Sequence, residues 1–318
     1  MLTLLILPRK GLYQLTICRQ CGYIFGCPNC DANLITYRQV ANTLELFCNQ
    51  CQTFFAYPDK CPQCNSKNLS SKYGGIEELV ENLATLGKSV YRFDKIKTPL
   101  SISAPKAIFQ QLQISYFVTT RLFDPTIAYE QFDRIVFVSA ENLLANPDYL
   151  TTEEVAKNLA EVLLRVRDTT EIIFDTANAN LALIQNLLVA NTSLGTPAGI
   201  KRWYFDFLQH ESKHRQQFGF PPFKNLLLLT TQEKKPELAE TKLQQLAVEF
   251  SKYLTHFPEV EVSKPYPARF FKRKNFYSYH LLIKYPRQYS QFTQFRELIV
   301  SLSQTYNVQV RLNPRHLF

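Results

Sequence analysis

The sequence contains no complete phosphate-binding loop. Only nine of its 318 residues are glycine, and the nearest match, Gly87-Lys88-Ser89, has Asn82 where such a loop begins with glycine. The local order is also reversed: a helical pattern precedes Gly87 and a strand pattern follows it, whereas a P-loop leads from strand to helix. Gly87 therefore reads as the glycine that ends a helix. No DExx box follows a strand pattern, so no ATP is expected as a cofactor of this chain alone. Long hydrophobic runs are missing too. The opening MLTLLILPRK is too short for a membrane span and lacks the basic leader and small-residue cleavage site of a signal peptide. It reads as a buried strand, and the expected setting is a reducing cytoplasm with no membrane partner. Acid is scarce at one end. From Val262 to Phe318 there are ten Lys and Arg but a single acid, Glu297, which accounts for the whole net charge of +9 and leaves the preceding 261 residues balanced. Cysteine is absent outside Cys18–Cys64.

Within that stretch the eight cysteines form four Cys-x-x-Cys pairs: Cys18/Cys21, Cys27/Cys30, Cys48/Cys51 and Cys61/Cys64. Each pair can offer two thiolates to one tetrahedral zinc from a tight turn, and Pro28 and Pro62 help to set such turns. Disulfides are the alternative, but a reducing compartment opposes them. A redox role needs one motif on a βα unit rather than four in a row. Two zinc ions are the expected cofactors. Three pairings of the pairs are possible. Cys30 and Cys48 are separated by 17 residues, the spacing of a zinc ribbon, and LITYRQ and TLELFC between them can form its hairpin. The spacing thus favours a nested arrangement, with Cys27, Cys30, Cys48 and Cys51 inside and Cys18, Cys21, Cys61 and Cys64 outside.

With 46% hydrophobic and 13% aromatic residues the chain is globular, and its length suits about two domains. After the cysteines, helical patterns (GIEELVENLATLG, APKAIFQQLQ, TTEEVAKNLAEVLLRV, ANLALIQNLLVAN) alternate with strand patterns (SVYRFD, ISYFVTT, DRIVFVS, EIIFDT). That alternation predicts an α/β fold with a parallel, doubly wound sheet, which LTLLILP joins. From about Ile200 the pattern changes. A long helix ends at Phe218-Gly219-Phe220-Pro221-Pro222-Phe223, and a β-α-β-β-α-β series follows, the ferredoxin-like order. The junction KPYPARFFKRKNFY between its middle strands concentrates Lys264, Arg269, Lys272, Arg273 and Lys274 with Phe270, Phe271, Phe276 and Tyr277. Cations for phosphates interleaved with aromatics for bases predict a nucleic-acid surface. A solvated basic face is the plainer reading of the charge.

His210-Glu211-Ser212-Lys213-His214 matches the HExxH metalloprotease pattern on a helix. The segment is polar throughout, Lys213 would set a cation beside the metal, and no third ligand is evident.

Several of these segments together resemble the C-terminal half of the PriA family of primosomal replication-restart helicases. The most specific is the eight-cysteine block preceded by LPRKGLYQLTICRQCG. YGGIEELVENLATLGKSVYRFDK is similar to the start of that family's second helicase lobe, and LQHESKHRQQFGFPPF to its helix ending in a Gly-aromatic-Pro-Pro turn. The resemblance spans nearly the whole chain. It implies a RecA-like second lobe beginning at residues 1–17 and resuming at 72–199, an inserted double zinc-ribbon module at 18–71 with the nested pairing, and a DNA-binding domain at 200–318. Two departures accompany it. The family's Walker A loop and DEAH-type box belong to an N-terminal half that the sequence does not include, although Met1 reads as a natural start. The lobe's own motifs also differ. Thr119-Thr120-Arg121 stands where the family has Gly-Thr-Gln, and Glu161 to Asp168 stands where it has Gln-Val-Ala-Gly-Arg-Ala-Gly-Arg. Arg165 matches the first arginine, whereas Asp168 replaces the last and would oppose the charge that an arginine finger stabilises. The implied function is a DNA-binding protein of replication restart or repair without its own ATPase. Its implied partners are forked or single-stranded DNA, the single-stranded-DNA-binding protein and other primosome proteins. Lys264, Arg269, Lys272, Arg273, Lys274 and Tyr277 are its candidate DNA contacts. The alternatives are the C-terminal subunit of a split helicase whose N-terminal chain binds ATP, and the metalloprotease.

Overall fold

The computed structural model describes residues 1–39, 42–93, 113–146, 148–178, 182–189 and 196–317. The chain divides into two compact units. One comprises Met1–Phe25, Asn33–Asn146 and Thr151–Leu208, and the other Gly26–Ala32, Pro147–Leu150 and Gln209–Phe318.

The first unit is built on a five-stranded parallel sheet of β1 (Thr3–Ile6), β7 (Val90–Phe93), β8 (Tyr116–Thr119), β9 (Arg134–Phe137) and β10 (Glu171–Phe174), in the order β10-β9-β1-β8-β7. Every residue of β1 is buried. Leu4, Ile6, Phe117, Ile135 and Phe137 on one face pack against Leu159, Val162 and Trp203, and Leu5 and Val118 on the other meet Ile76. A strand covered on both faces has no polar side, which is why LTLLILP is apolar without alternation. Helices α1 (Ile76–Thr85), α2 (Thr151–Leu163) and α3 (Ala182–Val189) follow the expected alternation, and the long helix α4 (Pro197–Phe218) begins in this unit, with its residues from Gln209 onward belonging to the second. In α2, Val155, Ala156, Leu159, Val162 and Leu163 form the buried stripe, and Glu153 and Glu154 complement the helix dipole in its first turn. The helix expected over APKAIFQQLQ falls on 104–113, of which only Gln113 lies among the described residues.

Between β1 and α1 the chain forms a second, antiparallel sheet of β2 (Tyr13–Cys18), β3 (Ile35–Arg38), β4 (Leu44–Phe47), β5 (Phe54–Ala56) and β6 (Leu69–Gly74), in the order β5-β4-β3-β2-β6. Its two ends meet. The Gly75 N–H donates to the Leu12 carbonyl and the Ile76 N–H to the Arg9 carbonyl. A Cβ on Gly75 would lie 2.2 Å from the Gly11 carbonyl oxygen, so only glycine permits this approach. Gly75→Ala is expected to lower the stability of the first unit by about 1–3 kcal/mol through this overpacking, read as a shifted urea midpoint.

The second unit contains β11 (Lys224–Glu233), α5 (Pro236–Ser251), β12 (Glu261–Val262), β13 (Tyr266–Arg273), β14 (Phe276–Pro286), α6 (Phe292–Thr305) and β15 (Gln309–Leu312). The sheet order is β12-β14-β11-β15, with β13 also paired to β14. Leu227, Leu229, Leu281 and Ile283 on one face pack on Leu243, Leu246 and Phe250 of α5 and Phe295 and Ile299 of α6. One expectation is corrected here. KPYPARFFKRKNFY is more than the junction between the two middle strands: most of it is a further strand, β13, which forms a hairpin with β14. The turn residues Lys274 and Asn275 both take positive φ, 49° and 65°. A two-residue hairpin turn needs positive φ at both positions, and Lys-Asn carries a weaker signal for it than Asn-Gly.

Candidate metal centres and nucleic-acid interface

The four Cys-x-x-Cys turns share one backbone pattern. In each, the N–H of the first cysteine donates to the carbonyl five residues on: Cys18 to Tyr23, Cys27 to Ala32, Cys48 to Thr53 and Cys61 to Ser66. In three of them the residue after the second cysteine is left-handed: Gly22 at φ 76°, Gln52 at 60° and Asn65 at 60°. Glycine and asparagine adopt that conformation at little cost. The turns point both thiols of a pair the same way, and the fold brings the pairs together in the nested arrangement. The sulfurs of Cys18, Cys21, Cys61 and Cys64 lie within 4.8 Å of one another, as do those of Cys27, Cys30, Cys48 and Cys51. Within the outer tetrad, Cys18 and Cys64 are 3.6 Å apart, as are Cys21 and Cys61. Zn–S bonds of about 2.3 Å in a tetrahedron place sulfurs about 3.8 Å apart, so the donor set and its size fit a four-thiolate metal ion. Burial opposes the charged form of Cys18, but the N–H groups of Cys21 and Gln20, together with the neighbouring thiols of Cys64 and Cys21, hold the thiol down at about 7.

The basic hairpin spreads its candidates unevenly. Lys264, Arg269, Arg273 and Lys274 are exposed. Lys272 is half-buried and its ammonium donates to the Pro28 carbonyl at 2.8 Å. Tyr277 sits beneath that ammonium, 5.9 Å from it, with its ring against Phe271 at 5.3 Å. The exposed aromatics are instead Phe270 and Phe276, with the Arg269 guanidinium over one face of Phe270. Strand alternation separates these two kinds of aromatic, and it was hidden while the segment read as a connection.

A cavity of about 680 Å³ in the first unit had no counterpart in the motif reading. Lys10 lies beyond the end of β1, Arg92 near the end of β7, and Thr120 and Arg121 just after β8, while Tyr37 and Phe47 supply aromatic walls. Its charged lining is all cationic. In open parallel sheets, ligands collect at the carboxyl ends of the strands, and that rule is the signal that could have found it. Arg121 pairs with Asp124, and Arg92 lies 3.6 Å from Glu77, which leaves Lys10 the cavity cation for which no acidic partner is seen among the described residues. Burial opposes the Asp124 carboxylate, yet bonds from Thr126 and from the Arg121 guanidinium hold it below its ordinary range.

The remaining motif candidates have structural partners. The Gly87 N–H donates to the Ala84 carbonyl and the Lys88 N–H to the Leu83 carbonyl, with Gly87 at φ 69°, a helix C-cap rather than a phosphate loop. Arg165 lies 4.7 Å over the Phe123 ring and 3.4 Å from Glu161. Glu211 pairs with Arg215 at 3.0 Å, and His210 and His214 join no group of three metal-capable side chains among the described residues.

Residues 216–315 match the model of the primosomal protein N C-terminal domain. Replication restart protein PriA of Thermotoga maritima is 25% identical over 287 residues, covering 88% of this chain and 36% of its own length. PriA of Synechocystis is 27% identical with 89% and 33% covered, and PriA of Haemophilus influenzae 27% identical with 92% and 39% covered. The chain therefore spans between about a third and two-fifths of the length of these curated relatives, and over nearly all of its own length it is similar to replication restart protein PriA, with residues 216–315 matching that protein's C-terminal domain.

Proposed function

We propose that this chain is a zinc-containing, DNA-binding protein of replication restart or repair that does not hydrolyse ATP on its own. The observation that carries the reading is the joint presence of two four-cysteine clusters and a basic hairpin on a chain aligned to PriA along nine-tenths of its length. In this reading residues 1–17 and 72–199 are a RecA-like second helicase lobe, 18–71 a double zinc ribbon, and 200–318 a ferredoxin-like DNA-binding domain. Zinc bound by four thiolates is closed to substrate and supplies structural rigidity alone. The chain's own residues do the rest. Arg269, Arg273 and Lys274 neutralise phosphates, Phe270 and Phe276 offer faces for bases, and the Lys10–Arg92–Arg121 cavity suits a single strand's backbone. The single-stranded-DNA-binding protein and other primosome proteins are the proposed protein partners.

The split-helicase alternative needs Arg165 free to reach a nucleotide, and its stacking on Phe123 and pairing with Glu161 weigh against that. Purified alone, the chain is expected to show no DNA-stimulated ATP turnover above background, and Lys88→Ala is expected to leave nucleotide binding unchanged. Turnover that survives removal of contaminating ATPases sinks the non-enzymatic reading, and turnover that appears only when a separate N-terminal helicase chain is added selects the split-helicase alternative.

A further inference from the structure

Residues Gly26–Ala32 belong to the same compact unit as Gln209–Phe318. Three hydrogen bonds tie this short segment to the tip of the β13–β14 hairpin. The Asp31 N–H donates to the Lys272 carbonyl at 2.8 Å, the Asn275 N–H to the Asn29 carbonyl at 3.0 Å, and the Lys272 ammonium to the Pro28 carbonyl at 2.8 Å. Pro28 and Asn29 are the two residues enclosed by Cys27 and Cys30, two thiols of the inner tetrad. A turn closed by two metal ligands has its backbone fixed while metal is bound and loses that restraint when it leaves.

The hairpin tip has little else to hold it. Arg273, Lys274, Asn275 and Phe276 are exposed. The pairing of β13 with β14 shifts register between Pro267 and Lys272, so the tip keeps only the pairs Lys272–Tyr277 and Arg273–Phe276, separated from the rest of the ladder. Both turn residues are left-handed without being glycine. A segment with a broken ladder and exposed side chains opens locally at low free energy unless something outside it supplies hydrogen bonds.

We propose that metal in the inner tetrad positions the basic hairpin. The Pro28-Asn29 turn is its docking platform, and Lys272 is a positioning residue that spends its ammonium on Pro28 rather than on a phosphate. This rests on the zinc reading above, extends it to one of the two sites, and separates the roles of neighbouring lysines: Lys272 aligns the tip, and Lys274 projects from it.

The test is hydrogen–deuterium exchange on the full chain, read at the amides of Asp31 and Asn275 and, as an internal reference, of Leu281 to Ile283 in β14, with zinc counted in parallel. Cys48→Ser leaves the Pro28-Asn29 turn unaltered in sequence while removing one ligand of the inner set. It is expected to speed exchange at Asp31 and Asn275 by up to about tenfold, the worth of one or two modest hydrogen bonds, with the β14 amides unchanged. Cys64→Ser, in the outer set, is expected to leave all of them unchanged. Equal effects from both variants, or none from Cys48→Ser, overturn the proposal. Should Cys48→Ser expose the β14 amides as well, Lys272→Met decides: faster exchange at Asn275 with the zinc count unchanged supports the docking contact, and unaltered exchange refutes it. A wild-type chain that holds no zinc refutes the metal reading itself, whatever the lysine variant does.

Discussion

Cys27→Ala is expected to lose one of two zinc ions per chain and to keep the other, whereas Cys18→Ala loses the opposite one. Each substitution removes a single sulfur, but three thiolates and a vacant position hold structural zinc poorly, so the whole ion goes. The effect on stability is expected to be large. Among the described residues between Cys18 and Ser71 the buried apolar side chains, cysteines aside, are Phe25, Leu34, Ile35 and Leu46. Strands β3 to β5 are only three or four residues long. A core of four side chains cannot offset the chain entropy of more than fifty residues, and small modules of this kind rely on a metal instead. Structural zinc contributes apparent binding free energies of about 10–16 kcal/mol at pH 7, comparable with the roughly 5–15 kcal/mol that stabilises a whole domain. Chelation of both ions is therefore expected to unfold the antiparallel sheet while the parallel sheet, with its own core, persists. The pH sign follows from the ligands. Thiolates bind zinc and thiols do not, so zinc is retained at neutral pH and lost as pH falls and protons compete for sulfur. Elemental analysis under reducing conditions, followed by circular dichroism during chelation, tests both statements. A count of one zinc or none, or a Cys27→Ala protein that loses the outer ion first, would falsify the nested assignment.

Legibility in the sequence varied with the distance over which a feature is determined. The four cysteine turns are local, fixed by residues at most five apart, and their nesting followed from one spacing, Cys30 to Cys48. The central parallel strands β1 and β8 were legible because burial on both faces leaves an apolar run such as Thr3–Ile6, which few other structures need. The Gly87 C-cap was legible from order alone. The strands β2, β5 and β6 were not. Their residues are mostly half-buried or exposed, so neither alternation nor continuous hydrophobicity marks them. Strand β13 was missed for a related reason: its burial pattern is irregular across the register shift, and its cations drew the reading toward an exposed connection. That error carried through to the site, because treating the segment as a connection gave Tyr277 and Lys272 the same availability as Arg269 and Lys274. The cavity at the carboxyl ends of β1, β7 and β8 lay beyond motif reading altogether. Lys10, Arg92 and Arg121 are each unremarkable in sequence and become a group only when three strands align.

Arg269→Ala, Arg273→Ala and Lys274→Ala together are expected to weaken DNA binding by on the order of 10²-fold at 0.1 M salt, the worth of about three phosphate contacts. The residues up to Glu261 carry no net charge, so long-range attraction for a polyanion must originate beyond them. These three cations are exposed near or at the tip of one hairpin, and neither Arg273 nor Lys274 pairs with an acid among the described residues. Each phosphate contact releases condensed counterions. The log–log salt slope should therefore flatten by up to about 2.7 on duplex and 2.1 on single strands in the triple variant. Phe270→Ala should act differently. It removes a stacking face and no charge, so it should lower single-strand affinity by about 1–3 kcal/mol and leave the slope unaltered. Lys10→Ala with Arg121→Ala probes the cavity by the same logic, and a slope change confined to single strands would assign it to the displaced strand of a fork. If the hairpin triple variant stays folded and keeps both its affinity and its slope, the hairpin is only a solvated basic face. The cysteine module then becomes the better candidate for the DNA surface, with Arg19 and Lys60 its next cations to test, since Arg38 is already paired with Glu81 at 2.7 Å.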